Sequence, residues 1–375
     1  MINHQDYMQL ALDQARLAWG IAKPNPAVGC VLVRDGVLIA QGHTQEAGGP
    51  HAEVMALNAA DGQAQGATAY VTLEPCSHFG RTPPCSQGLI EAGVATVVYG
   101  CQDPNPQVAG QGLQQLLAAG IDVIGPVLEA QCQAVNPGFM HFMATGKPYV
   151  FSKLACSLDG RTAMATGQSQ WITGPAARAQ VHLMRAQSCA VVTGLGSMLA
   201  DNPSMNSRAT ELLAAGVPAE QVARMKQPLR VIIDAPLRTP LDAQLFTLPG
   251  PVLLLTTNDD ADAYAAYQEQ GVEVQRVASE MTGPKAGKIH LQAAIDVLAQ
   301  RGCQQIMLEA GASLNASFMR AGLLDNLQVF VAPKFLGATG LPLFNQAHEK
   351  LADAWQGRFQ QFDKVGEDLL ISVDL

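Results

Sequence analysis

Positive charge is scarce in the first part of the chain. Residues 1–146 hold four Lys/Arg (Arg16, Lys23, Arg34, Arg81) against eleven Asp/Glu, a net −7 of the chain's −9. A surface that grips a polynucleotide needs a basic footprint, so this half is expected to take a small molecule and no nucleic acid. Long apolar runs are missing too. The longest, such as residues 252–255, are strand-length, far short of the ~20 residues of a membrane span. No basic segment followed by an apolar core opens the chain, so no secretory signal is expected. Apart from Cys76 and Cys85, the eight cysteines are scattered. That excludes a disulfide scaffold and fits a reducing cytoplasm. Internal repeats and low-complexity tracts are also lacking.

What remains is a 375-residue chain, 48% apolar and 15% charged. It is long enough for two domains with large cores. Helical spacing over 4–19 precedes a strand at 28–33, a hairpin turn at Arg34-Asp35-Gly36 and a returning strand at 37–40. A helix over 52–60, strands at 69–73, 94–100 and 121–124, and helices over 86–92 and 112–119 follow. Alternation of this kind predicts a three-layer α/β domain with partly parallel strands. Asn136-Pro-Gly138 and Thr145-Gly-Lys-Pro148 mark a boundary, giving domains 1–146 and 147–375. The second restarts with a strand over 149–156, a helix over 175–187 and a strand at 189–193. Further strands fall at 229–234, 252–256, 272–277, 305–309 and 327–331. Helices lie near 261–269, 291–301 and 313–321, and residues 209–227 read as a helical connection.

The chemistry concentrates in His51-Ala52-Glu53 and Glu74-Pro75-Cys76 through Cys85. One imidazole and two thiolates give zinc three ligands and leave a fourth position for water. His-x-Glu followed by Pro-Cys and a second cysteine is the signature of zinc deaminases, with the glutamate as proton carrier. In those enzymes two residues separate the cysteines; here eight do. Residues two apart do not share a helix face, so His51 and Glu53 are expected to act together at a helix start. Cys85 should also open a helix, whose positive end would favour its thiolate. A structural zinc site with His78 as fourth ligand, or two unrelated core cysteines, remain open on these residues alone.

The longer spacing, Pro75-Cys-Ser-His-Phe-Gly-Arg-Thr-Pro-Pro-Cys85, resembles the pyrimidine deaminase of riboflavin biosynthesis. The likeness extends over Lys23-Pro-Asn-Pro-Ala-Val-Gly29, Gly42-His43, Gly49-Pro-His-Ala-Glu53, Val71-Thr-Leu-Glu-Pro-Cys76 and Asp103-Pro-Asn-Pro106. It implies zinc on His51, Cys76 and Cys85, Glu53 as proton shuttle, and Asn25, His43, His78, Asp103 and Asn105 around the substrate. The asparagines in Pro-flanked turns and the loop histidines each have a purely local alternative.

The second half resembles the reductase domain of the bifunctional riboflavin-pathway enzymes, whose fold is similar to dihydrofolate reductase. The matching segments are Lys153-Leu-Ala-Cys-Ser-Leu-Asp-Gly-Arg-Thr-Ala163, Ser169-Gln-Trp-Ile-Thr173, His182-Leu-Met-Arg-Ala-Gln187, Leu199-Ala-Asp-Asn-Pro203 and Glu309-Ala-Gly-Ala-Ser-Leu314. The resemblance implies NADPH against Ala155, Trp171, Thr193, Asp201 and a turn of Gly311, Ala312, Ser313, Leu314, Asn315, Ala316 and Ser317. Substrate would meet Ser169, Arg185, Met205, Arg208 and Glu309. A strand leading into Gly311 and a helix start suits a pyrophosphate, although neither it nor Gly194-Leu-Gly196 is the Rossmann G-x-G-x-x-G. Arg185 and Arg208 can each hold a phosphate bidentately. Asp201 and Lys153 are candidate proton donors.

Together the halves imply zinc-dependent loss of the 2-amino group from 2,5-diamino-6-ribosylamino-4(3H)-pyrimidinone 5′-phosphate, then NADPH-dependent reduction of the ribosyl group to ribityl. The expected setting is cytoplasmic, with a homodimer or higher homo-oligomer permitted by the large apolar content. One rival is a nucleobase or tRNA deaminase with an accessory domain. Another is a non-catalytic, zinc-stabilised binding protein.

Overall fold

A computed structural model describes residues 3–77, 83–105, 108–281 and 286–375. The chain divides into two compact units, Met1–Lys147 and Pro148–Leu375.

The first unit opens with α1 (His4–Leu17), capped by the Asn3 side chain, which accepts the Gln5 amide. Then come β1 (Gly29–Arg34), β2 (Val37–His43), α2 (Ala52–Ala59), β3 (Thr68–Leu73), α3 (Cys85–Glu91) and β4 (Thr96–Cys101). The unit closes with α4 (Gln111–Ala118), β5 (Asp122–Ile124), α5 (Glu129–Ala134) and α6 (Pro137–Thr145). The sheet runs β2-β1-β3-β4-β5. β1 is antiparallel to β2 and β3, and β3, β4 and β5 are parallel.

Adjacent residues of a strand point to opposite faces, and β1 shows what that does here. A Cβ on Gly29 would strike Ala11 and Ala15 of α1. Cys30 pairs with Gly42, where a Cβ would strike Ala52 and Ala56 of α2. So α1 and α2 cover opposite faces, as a three-layer domain requires. Gly42 is glycine because α2 lies directly on the strand there, and this close approach sets the height of His51 and Glu53.

The second unit begins with β6 (Tyr149–Ser157), β7 (Arg161–Ala163), α7 (Pro175–Gln187), β8 (Ala190–Gly194) and α8 (Leu195–Asp201). It continues through α9 (Ala209–Ala214), α10 (Ala219–Arg224), β9 (Leu229–Ile233), β10 (Val252–Thr256), α11 (Ala261–Gln268) and β11 (Glu273–Arg276). Then come α12 (Leu291–Gln300), β12 (Gln305–Leu308), α13 (Ala312–Arg320), β13 (Asn326–Ala332), β14 (Leu341–Pro342), β15 (Arg358–Val365) and β16 (Asp368–Asp374). Nine strands form one sheet, β11-β10-β9-β8-β12-β6-β13-β16-β15. It is parallel from β11 to β13 and antiparallel over the last two pairings.

The central strands carry apolar residues without a break because both faces are covered. Val231, Leu253, Leu255, Ile306 and Leu308 pack into one core, and Val191, Ile232, Leu254 and Met307 into the other.

Two elements depart from expectation. The 209–227 connection is two helices, broken where Gly216 takes φ +84° ahead of Val217-Pro218. The hairpin of β15 and β16 had no recognised signature, because β15 is exposed along most of its length and carries no alternating pattern.

Candidate metal centre and reductase cluster

Strand direction gathers the first site. β1 starts, and β2, β3 and β4 end, at the same edge of the sheet, since Gly29 pairs with His43, Cys30 with Val71, and Leu73 with Cys101. The loop before β1 carries Asn25, β2 ends on His43, β3 leads through Glu74-Pro75 to Cys76, and β4 leads to Asp103 and Asn105. His51 is the N-cap of α2 and Glu53 lies in its first turn, while Cys85 is the first residue of α3. Segments distant in sequence thus end on the same side of the sheet, and His51, Cys76 and Cys85 among them converge.

His51 Nδ1 lies 3.7 Å from Cys76 Sγ and 3.3 Å from Cys85 Sγ. All three ligand atoms fall within 4.8 Å of one another. Zn–N and Zn–S bonds of about 2.0–2.3 Å meeting tetrahedrally separate N from S by ~3.5 Å, so the cluster is preformed for zinc. The electrostatics agree. Hydrogen bonding with Cys85 draws the Cys76 thiol down to about 4, against the opposing effect of burial and with help from His51. The hydrogen bond to Cys76 and burial push Cys85 well up. Only a cation between them would let both sulfurs ionise. The expectation that a helix end would favour the Cys85 thiolate is corrected: the Cys85 amide donates to Cys76 Sγ at 3.3 Å, so α3 serves the other sulfur.

Glu53 is 4% exposed. Burial, then the charge of Cys76, raises it to about 7. At that value a carboxyl both accepts and releases a proton near neutrality.

Glu74, which sequence reading passed over, is 3% exposed and fully engaged. Its oxygens accept the amides of Asp103 (3.3 Å), Gly110 (3.0 Å) and Gly112 (3.0 Å). It ties the loop of Asp103 and Asn105 to the stretch that delivers Cys76. The Asp103 side chain in turn accepts the Asn105 amide at 2.9 Å. His78 lies outside the described residues.

In the second unit Leu308 pairs with Ser152, which brings Glu309 beside Lys153. Arg185, in the last turn of α7, forms a two-pronged pair with Glu309 (2.9 and 2.8 Å) and donates to the Asn206 carbonyl (2.9 Å). Lys153 Nζ stands 3.9 Å from the same carboxylate. Burial alone would raise Glu309, but Arg185 and then Lys153 bring it down to about 2. Burial lowers Lys153 below the usual lysine value. In this structure Arg185 turns three of its five N–H donors to Glu309 and Asn206, a partnership sequence reading did not anticipate. Arg208 is different: its side chain is 52% exposed, with Glu211 4.0 Å away.

Residues expected to meet the dinucleotide fall at the end of β8 and the start of α13. Gly311 caps α13, and a Cβ there would face Ser197, while one on Gly194 would approach Leu314 at 3.0 Å. Thr193, at the end of β8, holds a buried hydroxyl with no partner among the described residues. Trp171 is exposed, with the Arg178 guanidinium 4.8 Å over its ring and Lys334 donating to its carbonyl (2.8 Å). Asp201 is exposed at the end of α8, and Ala155 and Ser169 are half-buried. Three expected contacts are turned away. Met205 is 1% exposed in the core, Ala316 is fully buried, and Asn315 is fully buried with its side chain bonded to Ser152 and to the Ala310 carbonyl. None of the three offers a ligand its side chain.

The first unit is thus built as a zinc-dependent deaminase, and the second as a reductase that uses a nicotinamide dinucleotide. Residues 1–101 match the family described as the cytidine and deoxycytidylate deaminase zinc-binding region. Residues 148–371 match the RibD C-terminal domain. The chain is 43% identical to riboflavin biosynthesis protein RibD of Escherichia coli (strain K12), covering 98% of each chain. It is 42% identical to the RibD of Haemophilus influenzae, over 98% of this chain and 96% of that one. Among solved structures, Acinetobacter baumannii RibD (form 1) superposes with a TM-score of 0.84 at 40% identity, covering 99% of this chain and 98% of that one. A Thermotoga maritima diaminohydroxyphosphoribosylaminopyrimidine deaminase/5-amino-6-(5-phosphoribosylamino)uracil reductase gives 0.83 at 30% identity, with the same coverage. The chain belongs to the RibD family, the bifunctional deaminase/reductases of riboflavin biosynthesis. Its cofactors are zinc and NADPH.

Proposed function

We propose that residues 1–146 remove the 2-amino group of 2,5-diamino-6-ribosylamino-4(3H)-pyrimidinone 5′-phosphate, and that residues 147–375 reduce the ribosyl group of the product to ribityl. The observation that carries the first half is the convergence of His51, Cys76 and Cys85 beside a buried Glu53. His51, Cys76 and Cys85 would hold zinc, which supplies a Lewis acid that makes water a nucleophile near neutral pH. Glu53 takes a proton from that water and delivers it to the departing amine nitrogen. Its near-neutral pKa suits both transfers. As a buried base it acts beside the metal rather than on it. Asn25, His43, His78, Asp103 and Asn105 would hold the pyrimidine and its ribose phosphate.

In the second half NADPH, held along Ala155, Trp171, Thr193, Asp201 and the first turn of α13, supplies the hydride. Lys153, whose ammonium is weakened by burial, would give a proton to the sugar oxygen. Glu309, with Arg185, fixes Lys153. Ser169 would contact the substrate, and the exposed guanidinium of Arg208 would hold its phosphate. The setting we propose is cytoplasmic; among the described residues no helix is long and apolar enough to cross a membrane.

The test supplies the diaminopyrimidine phosphate with NADPH and follows ammonia and NADPH together. Equal yields of ammonia and oxidised cofactor are expected, with a lag before NADPH falls. Ammonia without NADPH loss leaves the second half of the proposal without support.

We also infer that the protein acts as a homodimer. β15 is the edge of the nine-stranded sheet, and Phe359 and Phe362 on it are 65% and 60% exposed. A second copy would cover these two exposed aromatic side chains. Sedimentation should give twice the chain mass; a monomer at all concentrations refutes it.

A further inference from the structure

Residues 205–208 lead to the one exposed arginine of the reductase cluster, and their backbone is held with unusual thoroughness. Met205 is buried in the left-handed region at φ 54°. The Asn206 carbonyl accepts from Arg185 (2.9 Å). Ser207 makes a closed pair of bonds with Gln227: its amide donates to Oε1 and its carbonyl accepts from Nε2, both at 2.8 Å. The Ser207 hydroxyl donates to the His182 carbonyl (3.2 Å), and the Arg208 amide donates to His182 Nδ1 (3.2 Å). Three consecutive residues are thus fastened by side chains of α7 and of the segment before β9.

His182 is 5% exposed. It is faced by Arg185 from its own helix, by Arg208, and by Glu309 from the end of β12. Burial and the two arginines lower it to about 4, against Glu309 and a bond to the Asn206 backbone, so the ring is neutral and its Nδ1 can accept the Arg208 amide. None of these contacts touches the Arg208 guanidinium, which projects from the fastened backbone. An arginine presented from a fixed backbone loses less freedom when it orders around a phosphate.

We infer that His182 and Gln227 are positioning residues of the reductase, fixing residues 206–208 so that Arg208 meets the substrate phosphate in the correct orientation. This rests on the reading of Arg208 as the phosphate ligand. Both residues act through Arg208 and neither is a catalytic residue. They set KM for the phosphorylated substrate and leave the hydride step alone.

The experiment measures kcat and KM of NADPH oxidation with 5-amino-6-(5-phosphoribosylamino)uracil in the full-length, zinc-loaded protein. His182→Leu and Gln227→Leu should each raise KM about tenfold, with kcat changed by less than about threefold, as expected for losing a hydrogen bond that orients an ionic contact. His182→Asn, whose Oδ1 can accept the Arg208 amide, should restore most of the loss. Arg208→Gln should raise KM by itself. In that background His182→Leu should add nothing, because there is no longer a guanidinium to aim. Independent multiplication of the two effects, or a fall in kcat at unchanged KM, overturns the inference. So does Arg208→Gln raising KM while both His182→Leu and Gln227→Leu leave it unchanged. If Arg208→Gln leaves KM unchanged, the phosphate reading falls and the inference with it. Thermal melting of each variant separates these outcomes from misfolding, with Gln227→Leu as the second route should His182→Leu not fold.

Discussion

Glu53→Gln should abolish ammonia release while zinc content and NADPH-dependent reduction persist. The amide keeps the shape of the side chain but can no longer cycle a proton between water and amine. General acid–base catalysis of this kind contributes about 10²–10⁴-fold, and Glu53 serves both transfers, so a loss near the upper end is expected. Zinc should stay, because the three groups that converge on the metal position are His51, Cys76 and Cys85. Three measurements on one sample check this: metal by atomic absorption, ammonia from the diaminopyrimidine phosphate, and NADPH oxidation with the deaminated substrate. Retained ammonia release would remove Glu53 from the mechanism. Loss of zinc together with activity would instead make Glu53 a support of the metal.

Arg185→Met should cost the second unit about 3–5 kcal/mol, the range for stripping one partner from a buried ion pair. Glu309 would then keep its carboxylate with Lys153 3.9 Å away as the nearby cation. Arg185→Met/Glu309→Gln should recover much of the loss, since the stranded charge is gone. The pH dependence follows from the same pair. The folded state holds Glu309 at about 2, below its ordinary value of 4.5. Its contribution is therefore complete above pH 4.5 and is lost as pH falls through about 2. The gap in stability between wild type and Arg185→Met should be widest near neutrality and should narrow on acidification below pH 4.5. Denaturant melts at pH 7 and pH 3.5 measure it, and an equal gap at both sinks the argument.

The sequence carried the deaminase site well because its determinants are local. His51 and Glu53 open one helix, Cys76 ends one strand and Cys85 starts another helix, so motif and element edge coincide. The partners of these residues were less legible. Glu74 reads as one carboxylate among 32 acidic residues; its role comes from three backbone amides at 103, 110 and 112 that fold back on it. Arg185 and Glu309 are 124 residues apart, and a free phosphate ligand and half of an ion pair look alike in sequence. Helix phase alone would have flagged Asn315 and Ala316, which occupy the core face of α13 beside Phe318. The β15–β16 hairpin gave no periodic signal because β15 has no buried side to write one.

The Cys85 amide that reaches Cys76 Sγ has one more consequence. An N–H···S bond withdraws electron density from the sulfur, so the metal would receive less from Cys76 and remain a stronger electrophile. The donor belongs to the peptide backbone of the other thiol ligand. No side-chain replacement can delete it, and proline at position 85 would remove the ligand as well. This part of the tuning is therefore silent to mutational scanning. An ester-for-amide substitution at residue 85, made by chemical synthesis or semisynthesis, would reveal it as a change in metal reactivity at unchanged ligand set.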